Sequence, residues 1–450
     1  MCGIAGVVNW GNSEILASMT NIQAHRGPDD VGFWEHYFPD GTYVGLGSRR
    51  LAILDLSSSG HMPMANEDGT IWITYNGEIY NFAELRQELM TKGHTLRSNT
   101  DTEVILHLYE EEGFECVRRL SGMFAFAICD LRSSTLFFAR DHFGIKPLYY
   151  VHRGRHLAFA SEVKALLQLP EIRPELDLEA LHQYLTFLWV PDPQTMFRDV
   201  YKLPAGHYAV FKDGNLRIVQ YWDLAFPPND ADYTFTQAEL VEEIRKRFCH
   251  SVHSQMISDV PIGAFLSAGL DSSSIVAIMA QAAGKPVRTY TITFPSKYRV
   301  GETTLDDPAV ASLVAQRFGC DHHEIVVKPQ LAELLPKLIW HMDEPVSDPA
   351  IITAYLVCQE ARRTVTVLLS GIGGDEIFAG YRKYYAHYWA QAYRRIPTLL
   401  RQFLIEPVIS GLPSLRGTPF KGLVRLAKKM ARSASLSPQD AFLMNCTYLD

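Results

Sequence analysis

The sequence is short of cysteine and has no long apolar run. Its seven cysteines (Cys2, Cys116, Cys129, Cys249, Cys320, Cys358, Cys446) are odd in number and scattered, with no CxxC pair and no mixed Cys/His cluster. That pattern speaks against a disulfide framework and a structural zinc site. No apolar stretch reaches the roughly 18 residues a spanning helix needs, and the opening MCGIAGVVNWGNSE has no basic segment or small-residue cleavage site. A cytoplasmic protein with no membrane partner is expected. Positive charge is not in excess, since 42 Lys+Arg stand against 50 Asp+Glu for a formal net charge of -8. Nothing therefore pulls the chain toward nucleic acid. Internal repeats and low-complexity tracts are also missing. What remains is an ordinary globular composition, 47% hydrophobic and 20% charged over 450 residues, enough for two to three domains at roughly 150 residues each.

The first half alternates short β-branched and aromatic runs with turn signals: TIWITYNG at 70–77, GMFAFAICDL at 122–131, STLFFARD at 134–141 and KPLYYVHRGRHLAFAS at 146–161. These predict antiparallel strands. Helical spacing links Ile15, Leu16, Met19 and Ile22, and again Val104, Ile105, Leu108 and Tyr109. A hairpin is expected at Asp213-Gly214. The stretch 225–236 holds turn formers without an apolar face and is expected to link two domains. Beyond it the rhythm becomes strand–helix–strand (VPIGAFLS, SSSIVAIMAQAA, VRTYTITF, PAVASLVAQRFG, HHEIVV, LAELLPKLIWHM, TVTVLLS). That rhythm predicts a parallel sheet whose ligands bind beyond the carboxyl ends of the strands. From about 383 onward the sequence reads as basic and helical.

Two loops end such strands. SAGLDSSS at 267–274 opens a helix, where free backbone N–H groups and the positive helix end suit a phosphate. Asp271 suits a Mg²⁺ that bridges phosphates, and no Walker lysine follows. A simple helix N-cap is the plainer alternative. SGIGGDE at 370–376 adds glycine-rich backbone and Asp375, and two acidic loops facing one site are harder to explain as caps.

Cys2 follows the initiator Met. Removing that Met would leave a thiol and a free α-amino group on one residue, and an amine of reference pKa about 7.7–8 can act as base to a terminal nucleophile. NGEIYN at 76–81 supplies an Asn donor and an unobstructed Gly N–H, the parts of an oxyanion hole. Arg50 offers a fork for a carboxylate, and Glu78 and Asp101 could take an ammonium, so that together they fit an α-amino acid. Singly, a turn, a surface arginine and solvated acids remain the plainer readings. His25, His142, His322 and His323 lack ligand spacing and read as structural.

The CGI start, HRGPDD at 25–30, RLAILD, NGEIYN, SNTDTEVIL, GMFAFAI and RDHFGIKPLYY resemble a class II glutamine amidotransferase domain. SAGLDSSS and SGIGGDE resemble a pyrophosphatase-type ATP loop. In this order they resemble the glutamine-hydrolysing asparagine synthetase family across nearly the whole chain. The resemblance implies an N-terminal nucleophile-type αββα sandwich over 2–224, the linker 225–236, and a doubly wound parallel-sheet domain of adenine-nucleotide α-hydrolase type over 237–450.

It implies that Cys2 attacks glutamine, with Asn76 and Gly77 as oxyanion hole, and that Arg50, Leu51, Ala52, Ile53, Leu54, Asn76, Gly77, Glu78 and Asp101 bind glutamine. ATP would take Leu266, Ser267, Gly269, Asp271, Ser272, Ile292, Ser370 and Gly371, and Mg²⁺ would take Asp271 and Asp375. The implied reaction converts aspartate to asparagine through β-aspartyl-AMP, releasing AMP and pyrophosphate, and relatives are commonly homodimers.

Three departures stand out. Ala268 replaces a family Gly and would strain the loop if that position needs a positive φ, Ile372 sits where relatives often carry an acid, and the chain stops before the helical region that completes the acceptor pocket. Other readings stay open: amidation of another carboxylate, an adenylating ligase or cyclase without glutaminase function, and a degenerate homologue that only binds glutamine or nucleotide.

Overall fold

The computed structural model describes residues 1–226, 235–293, 307–326, 331–348, 350–412, 421–434 and 436–447. Contacts group the chain into two units. The first is Met1–Leu181, Val190–Pro261 and Pro336–Val346; the second is His182–Trp189, Ile262–Leu335 and Ser347–Asp450. Most of the expected linker, 227–234, lies outside the described residues. The helix Gln237–Ser254 that follows starts with a capping box between Thr236 and Glu239 and belongs to the first unit.

In the first unit the alternating runs form β1 (Gly3–Val8), β2 (Asp30–Tyr37), β3 (Tyr43–Arg50), β4 (Met64–Ala65), β5 (Ile71–Ile79), β6 (Gly122–Asp130), β7 (Thr135–Arg140), β8 (Tyr149–Arg153), β9 (His156–Ala160), β10 (Tyr201–Lys202), β11 (His207–Lys212) and β12 (Asn215–Gln220). They build two six-stranded sheets, ordered β10-β8-β9-β1-β3-β2 and β12-β11-β7-β6-β5-β4. Alternation then sorts the side chains by face. Ile4 and Val8 of β1 join Val44 and Leu46 of β3 against Ala125, Ala127, Phe138 and Ala209 of the other sheet. Ala5 and Val7 turn the opposite way, onto Leu16 and Met19 of helix Ser13–Asn21. On the far side Ile71, Ile73, Phe124 and Phe126 pack against Leu85 and Leu89 of helix Phe82–Thr91 and Val104 and Leu108 of helix Asp101–Glu112. The result is helix, sheet, sheet, helix: the αββα layering that the alternating runs and flanking helical stripes require.

The second unit has a parallel sheet of β13 (Ile262–Phe265), β14 (Arg288–Thr293), β15 (Asp321–Val326) and β16 (Val367–Leu369), ordered β15-β14-β13-β16. The chain runs outward from β13 to β15, then returns to pair β16 on the other side of β13. Neighbouring connections leave β13 in opposite directions, which opens a crevice at its carboxyl end. Among the described residues no helix is long and apolar enough to cross a membrane.

Candidate functional site

Strand register builds the cysteine site. β1 pairs antiparallel with β3, Gly3 opposite Arg49, so Cys2 at the strand mouth meets the chain leaving β3. The Leu51 N–H donates to Cys2 Sγ at 3.4 Å, and the thiol faces the Leu51 carbonyl at 3.8 Å. Burial pushes the Cys2 thiol up from its ordinary value, with the adjacent chain-terminal amine opposing. Burial also pushes that amine, here on Met1, down to about 5. An amine so placed on Met1 is uncharged at neutral pH.

Beside it, β5 ends in Asn76, Gly77, Glu78 and Ile79, paired with Ala125 to Gly122 of β6. Asn76 is fully buried, and neither Oδ1 nor Nδ2 has a hydrogen-bond partner. An unpaired buried amide costs about 1–3 kcal/mol, so Asn76 suits a ligand or an ordered water whose polar atoms complete its bonding. Tyr75 and Glu78 on the same strand interact electrostatically with Cys2.

Asp101 opens helix Asp101–Glu112 and accepts from the Tyr75 hydroxyl at 2.6 Å and the Ile79 N–H at 2.9 Å. Burial raises the Asp101 carboxyl; burial and then the Asp101 charge raise Glu78 well above the ordinary carboxylate range. Two carboxyls held this way gain from an arriving cation. Arg50 is buried and spends its guanidinium on the loop that follows, donating to the carbonyls of Ser57 (3.2 Å), Leu54 (2.9 Å) and Asp55 (2.6 Å). Gly60 permits this curl, since a Cβ there would stand 2.0 Å from Arg50 Nη2. The loop 51–54 is thereby wrapped against the cysteine.

Two cations went unassigned in the sequence reading. Lys146 is buried and pushed down by desolvation, with Glu78 and Cys2 pulling it back up. Asp141 fixes the loop that carries it, accepting the N–H groups of Phe143, Ile145 and Lys146 at 2.9–3.1 Å. A lysine inside the apolar run FGIKPLYY was the available signal. Arg26, within the quoted HRGPDD, donates from Nε to the Cys2 carbonyl at 2.9 Å.

In the second unit the two glycine-rich loops follow β13 and β16, which are hydrogen-bonded neighbours, so both lie at the switch point. Ser267 and Ser272 hydroxyls are 2.9 Å apart, Ser267 Oγ accepts the Gly269 N–H at 3.1 Å, and helix Leu270–Ala282 starts at Gly269 with no side-chain cap. Its first N–H groups thus lack the usual side-chain acceptor, an arrangement that suits a phosphate. A Cβ at Gly374 would stand 2.5 Å from Asp271 Cγ, so the second loop's backbone lies directly against the first loop's acid. Leu266 is buried and donates its N–H to the Tyr290 carbonyl at 2.9 Å, with Ile292 two residues further along β14. Ser370 and Gly371 begin the second loop, which continues through Asp375 in the short helix Gly374–Ile377. Ala268 does not take a positive φ, so the strain considered for it does not arise.

A buried cysteine beside an unpaired strand-end amide, and a glycine-walled crevice on a parallel sheet, give the protein two candidate sites, one in each unit. The family model described as Glutamine amidotransferase domain matches residues 1–222, and that described as Asparagine synthase matches 243–443. The chain is 39% identical to glutamine-hydrolyzing asparagine synthetase 1 of Bacillus subtilis over 426 residues, covering 93% of this chain and 65% of that one. It is 35% identical to putative glutamine-hydrolyzing asparagine synthetase 2 of Methanocaldococcus jannaschii over 465 aligned positions, covering 98% and 86%. The chain belongs to the glutamine-hydrolysing asparagine synthetase family. It spans about two thirds of the length of the Bacillus relative. A solved structure of the allosteric regulatory enzyme of purine biosynthesis aligns at a TM-score of 0.39 and 16% identity, covering 82% of this chain and 90% of that one.

Proposed function

We propose that the chain is an ATP-dependent, glutamine-hydrolysing amidotransferase that converts aspartate to asparagine. The observation that carries the reading is the buried, unpaired Asn76 amide on the strand end beside Cys2. Once Met1 is removed, the α-amino group of Cys2 takes the thiol proton and the thiolate attacks the glutamine amide carbon. The C–S bond forms as the carbonyl electron pair moves to oxygen, where Asn76 Nδ2 and the Gly77 N–H receive it. Collapse breaks the C–N bond, the ammonium proton leaves with the nitrogen as ammonia, and water hydrolyses the thioester to glutamate. Arg50 holds the substrate carboxylate, Glu78 and Asp101 hold its ammonium, and Leu51, Ala52, Ile53 and Leu54 line the pocket.

In the second unit ATP takes Leu266, Ser267, Gly269, Asp271, Ser272, Ile292, Ser370 and Gly371. Asp271 and Asp375 would hold Mg²⁺, which would supply charge neutralisation for a departing pyrophosphate. The aspartate β-carboxylate attacks the α-phosphate to give β-aspartyl-AMP, and ammonia then displaces AMP. Ammonia is protonated in water at neutral pH, so its release and use are kept apart from solvent. The reading carries a cytoplasmic location and admits a homodimer. Ile372, 91% exposed on the second loop, supports a second reading in which another carboxylate is the acceptor.

The test is AMP and pyrophosphate release with Mg-ATP and glutamine, with and without aspartate. Aspartate-dependent AMP with asparagine is expected, and Cys2→Ala is expected to lose the glutamine-supported reaction while keeping activity on added ammonium. Glutamine hydrolysis with no aspartate dependence would move the acceptor to another carboxylate. Loss of both activities in Cys2→Ala would overturn the two-site reading.

A further inference from the structure

We infer that Asp343 is a positioning residue for the Cys2 nucleophile, acting through a buried chain of alternating charges that ends on the Cys2 carbonyl. The inference rests on the glutaminase reading above. Residues 336–346 come from the second half of the sequence but belong to the first unit, where helix Leu331–Met342 ends and Asp343 turns the chain at a φ of +61°. A non-glycine residue in that region is held by its surroundings. The holding contacts are visible: Asp343 accepts the Val163 N–H at 2.7 Å and the Lys164 N–H at 3.3 Å, and pairs with Lys164 Nζ at 2.9 Å.

From Lys164 the charges alternate inward. Lys164 Nζ is 2.7 Å from Glu162 Oε2, Glu162 Oε1 is 3.0 Å from Arg26 Nη1, and Arg26 Nε donates to the Cys2 carbonyl at 2.9 Å. All four charged side chains are at least nine-tenths buried. His25 also reaches Glu162 Oε1 at 2.9 Å and packs its ring on Trp340 and His341, while Lys164 Nζ lies 4.7 Å from the Trp340 ring centre. Within so little solvent each pair depends on its neighbours. Without the Asp343 charge, Lys164 has only Glu162 to pair with, which weakens Glu162's hold on Arg26 and so Arg26's hold on the nucleophile's backbone. Cys2 is fixed from the other side by the Leu51 N–H on its sulfur, so slack on the carbonyl side moves the thiol directly.

The neighbouring Glu344 supplies a control. It is equally buried, yet it accepts the Met196 N–H at 2.6 Å and pairs with Lys202 at 3.1 Å, outside this chain of charges. The experiment compares Asp343→Asn, Asp343→Glu and Glu344→Gln in the full chain, reading glutamine hydrolysis and the rate at which iodoacetamide alkylates Cys2, mapped by peptide mass spectrometry. Asp343→Asn is expected to lower kcat about tenfold with KM within about twofold, as a small misplacement of a reacting group does. Cys2 alkylation should quicken as its anchor loosens, while the buried Cys116 and Cys129 stay protected. Asp343→Glu should recover most of the loss, and Glu344→Gln should move neither readout.

Wild-type kcat and Cys2 reactivity in Asp343→Asn would overturn the inference, as would equal effects from Glu344→Gln or exposure of Cys116 and Cys129. If Asp343→Asn does not fold, Asp343→Ser, which also removes the charge, takes its place and is judged by the same criteria. If the wild-type chain releases no ammonia from glutamine, the glutaminase reading fails by itself, and the Cys2 alkylation rates still decide the positioning role.

Discussion

Around Cys2 the candidate groups are buried side chains with displaced protonation: Glu78 and Asp101 raised, Lys146 lowered, and the Asn76 amide unpaired. At the carboxyl ends of β13 and β16 they are backbone N–H groups, short hydroxyls and two acids, with Leu270 and Ile372 81% and 91% exposed on the same loops. The first site carries its electrostatics ready-made in a low-dielectric interior. The second offers a shaped backbone that gains most of its charge from what binds. Perturbing a side chain should therefore be most damaging at the first, and perturbing backbone clearance most telling at the second.

The sharpest test of that contrast is Asn76→Ala. Losing an oxyanion donor should lower kcat for glutamine hydrolysis by about 10²–10³, while the melting temperature stays level or rises because an unpaired buried amide has been removed. A comparable loss of stability would make Asn76 structural instead. Next in size, Gly374→Ala should raise the KM for ATP by about tenfold, equivalent to about 1.4 kcal/mol, because the new Cβ would stand 2.5 Å from Asp271 Cγ. Glutaminase kinetics should not change, and steady-state assays of both half-reactions decide it.

The smallest effect concerns stability. Burial alone would lower His107, but hydrogen bonds to Glu103 and Glu110, with the Glu67 charge, hold it up to about 9 against an ordinary 6.5; burial alone would raise Glu103, but hydrogen bonds from His107, Arg97 and Ser98 hold it down to about 2 against 4.5. A raised imidazole stabilises the fold fully below pH 6.5 and loses that contribution as pH climbs through 9. Glu103 contributes above pH 4.5 and loses its share as pH falls through 2. Calorimetry of the first unit's transition should show the wild type losing more stability than His107→Gln between pH 6.5 and 9.

Much of the layering was legible in the sequence because period-two and helical spacings are local. GMFAFAICDL became β6 with Phe124 and Phe126 on one face and Ala125 and Ala127 on the other. Helix Gln237–Ser254 had a readable signal in Thr236 and Glu239, a box that needs only four residues. Proximity across the chain was not legible. Nothing near Lys146 announces Cys2, and nothing near Asp343 announces Lys164, 179 residues away. Arg50 shows the limit from the other side: its place was readable from motif, but its bonding to Leu54, Asp55 and Ser57 follows from the curl of the loop.

The pairing of Gly3 with Arg49 leaves a single residue between the start of β1 and the initiator Met. For anyone producing this protein, that is a rule about handles. An affinity tag fused ahead of Cys2 would leave the strand register untouched, yet under the proposed mechanism the amine that takes the thiol proton would become an amide with no basicity. Purification sequences belong at the other end, and a preparation that melts normally but hydrolyses nothing should first be checked for an unprocessed leader residue.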